Sequence, residues 1–198
     1  MKFLIIGGFL GSGKTSLILH LAQYMVNVRG ISKIAILENE IGAVGVDDKV
    51  LQGSGYQVRG MFSGCVCCTM AGELPINVRM LQQDYDPEWI IMEATGVAFP
   101  GSIRQNLMDT LGIRGEILCL ADAQRWDRLL KPLEHLLSLQ LKEADLILLN
   151  KADLVSPEAL AAAAKSIRMF NRLAKIETIS AKDGIDPALL DQIIDWKR

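Results

Sequence analysis

The chain has 198 residues, half of them hydrophobic, with 21 Lys and Arg against 23 Asp and Glu and a formal net charge of −2. A chain of this size buries one substantial core without disulfide staples, and mixed, nearly balanced charge excludes the basic footprint of a nucleic-acid binder and the polybasic patch of a membrane binder. Of its four cysteines, three crowd into "SGCVCCTM" (63–70) and Cys119 stands alone in "EILCLA", unlike the spread, paired framework of a secreted mini-domain, so reduced thiols and a cytoplasmic location are expected.

The N-terminal "MKFLIIGGFL" runs directly into "GSGKTS" with no small-residue cleavage site. It therefore reads as a first strand rather than a signal peptide, and no apolar run reaches the roughly 18 residues of a membrane span. Short unbroken apolar runs follow at "IAIL" (34–37), "WIIM" (89–92), "ILCLA" (117–121) and "LILL" (146–149), each predicting a strand buried on both faces. Helical patterns alternate with them at 14–28, about 71–84, about 100–111 and 123–143, the last with a kink or restart at Pro132. Ser156 and Pro157 form the N-cap and first position of a helix from about 157 to 170, and "KIETIS" with "DPALLDQIIDW" adds a final strand and helix. The alternation predicts one α/β domain spanning 1–198, with no C-terminal domain and a mostly parallel sheet covered by helices on both faces, in three α/β/α layers. Ligands of such sheets bind at the carboxyl ends of the strands. The Gly- and Asp-rich segment 39–60 is the main irregular stretch, a length that usually marks a functional loop.

"GFLGSGKT" (8–15) fits G-x-x-x-x-G-K-[ST] between an apolar strand and an amphipathic helix, the context of a phosphate loop and hence of a P-loop NTPase. Gly8, Gly11, Ser12 and Gly13 let backbone N–H groups converge on phosphate oxygens at a helix N-terminus. Lys14 reaches the β and γ phosphates, Thr15 ligates Mg²⁺, and Ser16 completes the nucleotide-binding set. After the strand "DLILLN" comes "NKAD" (150–153). The Asp153 carboxylate can accept from both N1–H and the 2-amino group of guanine, whereas adenine leaves it unpaired, at a cost of about 1–3 kcal/mol. Asn150 is expected at the far edge of the base, with the Lys151 stem across its face. "SAK", comprising Ser180, Ala181 and Lys182, follows the next strand and offers the Ala181 N–H to guanine O6. A small-molecule kinase sharing the phosphate loop has no evident use for this pair of motifs.

In "WIIMEATG", Glu93 can hold Mg²⁺ directly or through water, and Gly96 can offer its N–H to a γ-phosphate. "ENEIGAVGVDD" starts where the second strand stops and brings Glu38, Asn39 and Glu40 to the same edge, on a loop that nucleotide and Mg²⁺ could order as they do GTPase switches.

"GFLGSGKTS", "ENEIGAVGVDD", "SGCVCCTM", "EATG" and "NKAD", in this order and spacing, resemble the CobW-type metal-chaperone GTPases of the CobW/HypB/UreG group across essentially the whole chain. The resemblance implies a GTP/GDP-binding protein that carries or inserts a transition metal, Zn²⁺ or Co²⁺, at a C-x-C-C motif formed by Cys65, Cys67 and Cys68. It sets Lys14 and Thr15 in Walker A, Glu93 in Walker B, and Asn150 and Asp153 in the base-reading motif. Lys14, Glu38 and Glu93 are the candidate catalytic residues. A metalloenzyme or cofactor-biosynthesis client is implied, and a GTP-dependent homodimer is left open. Many members add a C-terminal domain and a histidine-rich tract; this chain holds only His20 and His135, both read as ordinary helix residues.

The thiols have a physical case of their own. An extended segment aims Cys65 and Cys67 to one face, whereas a turn pairs Cys65 with Cys68 as C-x-x-C. Either supplies two soft ligands for zinc or a similar ion, with Glu38 or Glu40 completing a site open to exchange. Mg²⁺, a hard ion, prefers phosphate oxygens, Thr15 and a carboxylate, so two distinct sites are expected. Reversible disulfide chemistry at Cys65 and Cys68 is the alternative, and Cys119 reads as packed core. Mg-GTP is expected to order residues 38–48 and shift the cysteine loop. No arginine finger or water-orienting glutamine is evident, so unassisted hydrolysis should be slow.

Overall fold

A computed structural model of the chain describes residues 1–38, 57–60 and 66–196; at 38, 57–60 and 66–73 it describes the backbone alone. The described residues form a seven-stranded sheet of β1 (Lys2–Gly8), β2 (Ile34–Glu38), β3 (Gln57–Gly60), β4 (Trp89–Glu93), β5 (Glu116–Asp122), β6 (Leu146–Asn150) and β7 (Lys175–Thr178), in the order β3-β2-β4-β1-β5-β6-β7. Every pairing is parallel. The five unbroken apolar runs are β1, β2, β4, β5 and β6, the inner strands. β3 falls inside the stretch expected to be irregular. Its sequence, QVRG, has one strongly apolar residue, so an end strand of this sheet carries no run to betray it.

Among the described residues six helices cover the sheet: α1 (Lys14–Asn27), α2 (Val66–Asp84), α3 (Pro100–Leu111), α4 (Trp126–Leu141), α5 (Pro157–Phe170) and α6 (Pro187–Ile194). Alternate residues of the five inner strands feed two separate cores. Phe3, Ile5, Ile90, Met92, Ile117 and Ile147 pack beneath Val78, Leu107, Leu137 and Ile167 of α2 to α5. On the other face Leu4, Ile6, Ile91, Leu118 and Leu148 meet Leu17, Leu21 and Met25 of α1 and Leu190 and Ile193 of α6. This is the three-layer arrangement that uninterrupted apolar strands require.

Helix boundaries follow local chemistry. The Ser156 hydroxyl accepts from the Ala159 N–H at 3.3 Å, capping α5 as its sequence foretells. Pro132 interrupts α4, where Leu133 leaves helical geometry at φ −124°, ψ 20°. α2 begins at Val66, about a turn earlier than its apolar periodicity indicates, and carries Pro75 inside it. α4 begins at Trp126 rather than 123, because residues 123–125 turn back toward Asp122.

In-register pairing brings Ile6 beside Glu93 and Asp122 beside Asn150. Four strands thus deliver their last residues, Gly8, Glu93, Asp122 and Asn150, to one edge. Ile5 is fully buried in the central strand, so Ile5→Ala should destabilise by about 2–5 kcal/mol in chemical denaturation. Leu173→Ala, at a residue 97% exposed, should stay within about 0.5 kcal/mol of wild type.

Candidate functional site

β1 ends in a turn that only glycine tolerates at two key points. Gly8 has φ 133° and Gly13 φ 102°, left-handed values in which a Cβ is strained. A Cβ at Gly8 would also strike the Leu120 carbonyl, and one at Gly13 the Asn150 side chain. The turn closes through Ser12 N–H to the Phe9 carbonyl at 3.1 Å, and α1 starts at once with Lys14. Its first turn therefore sets backbone N–H groups and the positive end of the helix dipole at the cleft.

The side chains at that helix start converge on the end of β4. Lys14 Nζ lies 3.7 Å from Glu93 Oε1, and the Thr15 hydroxyl lies 3.2 and 3.0 Å from the two Glu93 carboxylate oxygens. Hard oxygens from Thr15 and Glu93 beside a lysine suit Mg²⁺ and phosphate. Ser12 Oγ adds a buried hydroxyl with no hydrogen-bond partner among the described residues. Gly96, three residues past Glu93, presses on the phosphate loop so closely that a Cβ there would sit 2.7 Å from the Leu10 nitrogen. Its carbonyl accepts from Gln140 Nε2 at 2.9 Å, as does that of Ala98 at 3.3 Å. Gln140 is 2% exposed. A lone polar residue on the Leu137–Leu141 face of α4 was the available signal, and sequence reading missed it.

At the opposite end of the cleft the base-reading loops lean on the phosphate loop. Asn150, 3% exposed, donates from Nδ2 to the Ser12 carbonyl at 2.7 Å and accepts the Ala181 N–H on Oδ1 at 2.9 Å. Asn150 thus takes the Ala181 N–H, the donor expected to face a base oxygen, and acts as a bracket between two loops. The Ala181 carbonyl accepts from His20 Nε2 at 2.8 Å. His20 is therefore a brace from α1 to the "SAK" loop rather than an ordinary helix residue, while His135 is exposed on α4. Asp153 lies on the 3₁₀ turn Ala152–Leu154. Its Oδ1 accepts from the Ser180 hydroxyl at 2.7 Å, a hydroxyl that also lies 2.7 Å from Asp183 Oδ2.

Between these ends runs a cleft of about 550 Å³ lined by Gly11, Gly13, Lys14, Thr15, Ser16, Glu93, Asn150, Lys151, Asp153, Ser180, Ala181 and Lys182, with Leu10 and Leu154. Lys151, itself left-handed at φ 64°, donates to Asp122 Oδ2 at 2.7 Å. Burial by itself would raise the Asp122 carboxyl, but hydrogen bonds from Lys151 and Arg125 outweigh it and hold the group below the usual carboxylate range.

Of the thiol-site candidates, Cys65 and Glu40 lie outside the described residues. Glu38 is the last residue of β2, in register with Glu93, and Cys67 and Cys68 lie on the first turn of α2. Among the described residues no group of three or more His, Cys, Asp or Glu is placed to hold a metal ion. Cys119 is packed core as expected: its thiol donates to the Gln140 carbonyl at 3.1 Å, and burial pushes its pKa up to about 12. None of the helices among the described residues is long and apolar enough to cross a membrane.

A parallel sheet with a glycine-lysine turn after β1, a carboxylate closing β4 and an Asn-Lys-Ala-Asp turn after β6 defines a P-loop nucleotide-binding domain. The chain belongs to the family of the CobW/HypB/UreG nucleotide-binding domain, whose profile matches residues 2–178. It is 32% identical over 187 residues to the zinc chaperone YjiA of Escherichia coli, an alignment covering 87% of this chain and 53% of the relative. It is 30% identical over 184 residues to the zinc-regulated GTPase metalloprotein activator 1 of Schizosaccharomyces pombe, covering 87% and 44%. The chain thus spans about half the length of these curated relatives. Among solved structures, Zn(II)-bound YjiA from E. coli superposes with a TM-score of 0.65 at 26% identity, covering 96% of this chain and 60% of that one. The hydrogenase maturation factor HypB of Archaeoglobus fulgidus shares the fold with a TM-score of 0.70 at 21% identity, covering 99% and 88%.

Asn150→Ala removes partners from Ser12 and Ala181 at once, so the nucleotide-free protein should lose about 1–3 kcal/mol, read as a lower midpoint in thermal denaturation. Asp122 gives a pH signature. Its folded pKa is depressed, so its contribution to stability is complete above the ordinary carboxylate range and disappears as pH falls through the lowered folded value. The stability difference between wild type and Asp122→Asn should accordingly be flat above about pH 5 and shrink below about pH 4.

Proposed function

We propose that this chain binds Mg-GTP in the cleft between the phosphate loop and the "NKAD" and "SAK" loops, hydrolyses it slowly, and acts as a GTP-gated carrier of a zinc- or cobalt-class metal ion. The observation that carries the nucleotide part is the opposition of ends within one cleft. A lysine, a hydroxyl and a carboxylate meet at one end, and a carboxylate suited to guanine stands at the other beside Ser180.

In this reading Lys14 exchanges its Glu93 partner for β and γ phosphate oxygens, and Thr15 and Glu93 hold Mg²⁺. Bound there, the ion neutralises charge on the phosphates. Asp153 accepts from N1–H and the 2-amino group of guanine, Lys151 lies along the base, and Lys182 with Ser180 closes the far rim. Gly96 meets the γ-phosphate with its N–H, and its carbonyl is held by Gln140.

The cargo is assigned to Cys65, Cys67 and Cys68, with Glu38 or Glu40 completing an open shell. Support comes from relatives named zinc chaperones and from the start of α2, where a helix N-terminus favours thiolate over thiol. Gating is supported by adjacency: Glu38 of β2 pairs in register with Glu93 of β4, so a segment ordered by Mg-GTP leaves the sheet beside the Mg²⁺ carboxylate. The client is a metalloenzyme or a cofactor-biosynthesis protein. The C-x-x-C spacing supports a second reading, a Cys65–Cys68 redox pair.

Titration of zinc and cobalt into reduced protein, with a GTP analogue, GDP or no nucleotide, tests cargo and gating together. Thiolate-to-metal absorption should saturate at one ion per chain, with affinities differing about 5- to 150-fold between nucleotide states. Equal affinities would remove the gating. Undiminished metal uptake in the Cys65→Ala and Cys67→Ala variants would remove the thiol site.

A further inference from the structure

Two cations from different parts of the cleft share one buried carboxylate. Asp122 closes β5, and its side chain is 1% exposed. Its Oδ2 accepts from Lys151 Nζ and from Arg125 Nε, each at 2.7 Å, while Oδ1 accepts the Arg125 backbone N–H at 3.2 Å. The far end of the same guanidinium donates from Nη2 to the Leu10 carbonyl at 2.5 Å, on the phosphate loop. A Cβ at Gly11 would lie 3.2 Å from that nitrogen, so the guanidinium packs on bare backbone.

These contacts have a geometric consequence at the phosphates. The Leu10 carbonyl and the Gly11 N–H belong to one planar trans peptide and point in opposite directions. Fixing the carbonyl on Arg125 therefore turns the Gly11 N–H away from Arg125 and sets the direction of one donor of the phosphate cradle. At the other end, the salt bridge to Lys151 fixes the headgroup of the side chain whose stem lies along the base. One carboxylate thus holds both halves of the site, and with two cations against one anion the cluster keeps a net positive charge toward a polyanionic ligand.

A purely structural role explains this cluster poorly. Burying a carboxylate with two cations is costly unless every partner is well placed, and both cores beneath it are already complete in apolar side chains. We propose that Asp122 is a positioning residue of the nucleotide site, coupling the base-side Lys151 to the phosphate loop through Arg125, so that engagement at one end is felt at the other. The inference rests on the reading of the cleft as a guanine-nucleotide site.

The test is a double-mutant cycle on GDP and GTP-analogue affinity with Lys151→Met and Arg125→Ala, repeated in the Asp122→Asn background. Tripolyphosphate serves as a ligand without a base. Coupling through Asp122 predicts that the two substitutions are non-additive by about fivefold or more in wild type and additive in Asp122→Asn. Arg125→Ala should weaken tripolyphosphate as well as GTP, whereas Lys151→Met should weaken only GTP. Should Asp122→Asn fail to fold, Arg125→Lys serves in its place. Arg125 is 35% exposed, and a lysine keeps the charge but cannot span Asp122 and Leu10 together, so this variant should reproduce the loss of tripolyphosphate affinity with an unchanged thermal midpoint. Additive effects in wild type, or full tripolyphosphate affinity in Arg125→Lys, would overturn the coupling alone. A wild-type protein that binds no guanine nucleotide would overturn the site reading and the inference with it.

Discussion

The site depends on the bracket formed by Asn150. One buried amide holds the Ser12 carbonyl with its nitrogen and the Ala181 N–H with its oxygen, so the phosphate loop and the base-side loop are mounted on the end of a single strand. The constraint behind it is the parallel sheet. Strands of like direction end together, and their last residues must satisfy one another's polar groups or a ligand's. Gly8, Glu93, Asp122 and Asn150 are the consequence: a backbone turn, a carboxylate against Lys14 and Thr15, an ion-pair centre and a bracket, side by side. His20 braces the same loop from α1, the helix whose N-terminus faces the phosphates.

Much of this was legible in the amino-acid sequence where the physics is local. A strand buried on both faces must be apolar at every position, which exposes β1, β2, β4, β5 and β6 without ambiguity. The phosphate loop announces itself because backbone donors need glycine conformations and a lysine at fixed spacing, and Ser156 with Pro157 marks a helix start for equally local reasons. What stayed hidden is long-range or weakly patterned. β3 has too few apolar residues to register. The bonds from Gln140 to Gly96, His20 to Ala181 and Arg125 to Leu10 join residues 44, 161 and 115 positions apart, so nothing in the neighbourhood of any of them states its partner. Asn150 was singled out, but its role as a bracket between two loops required the fold.

The thiol segment and the nucleotide cleft meet the sheet at neighbouring places. β2 leads out through Glu38 beside Glu93, and the helix that carries Cys67 and Cys68 begins six residues after β3 ends at Gly60. Soft thiolates and hard phosphate-side oxygens select different ions, so one domain can keep Mg²⁺ and a transition metal apart without a second fold. Within the cleft Lys14 lies on Glu93 and Lys151 on Asp122, cations held in position by carboxylates; in the proposed reading they are preorganised for phosphate and base.

The central claim is that this edge of the sheet reads guanine. Competition binding of GTP, ATP and xanthosine triphosphate to wild-type protein and Asp153→Asn addresses it most directly. An aspartate at 153 pairs with the 2-amino group of guanine, whereas an asparagine can donate to the 2-oxo group of xanthine. The account predicts that wild type favours GTP over ATP by about tenfold to a hundredfold or more, and that Asp153→Asn moves the preference toward xanthosine triphosphate. Equal affinity of wild type for GTP and ATP, or a nucleobase preference unmoved by Asp153→Asn, would contradict it.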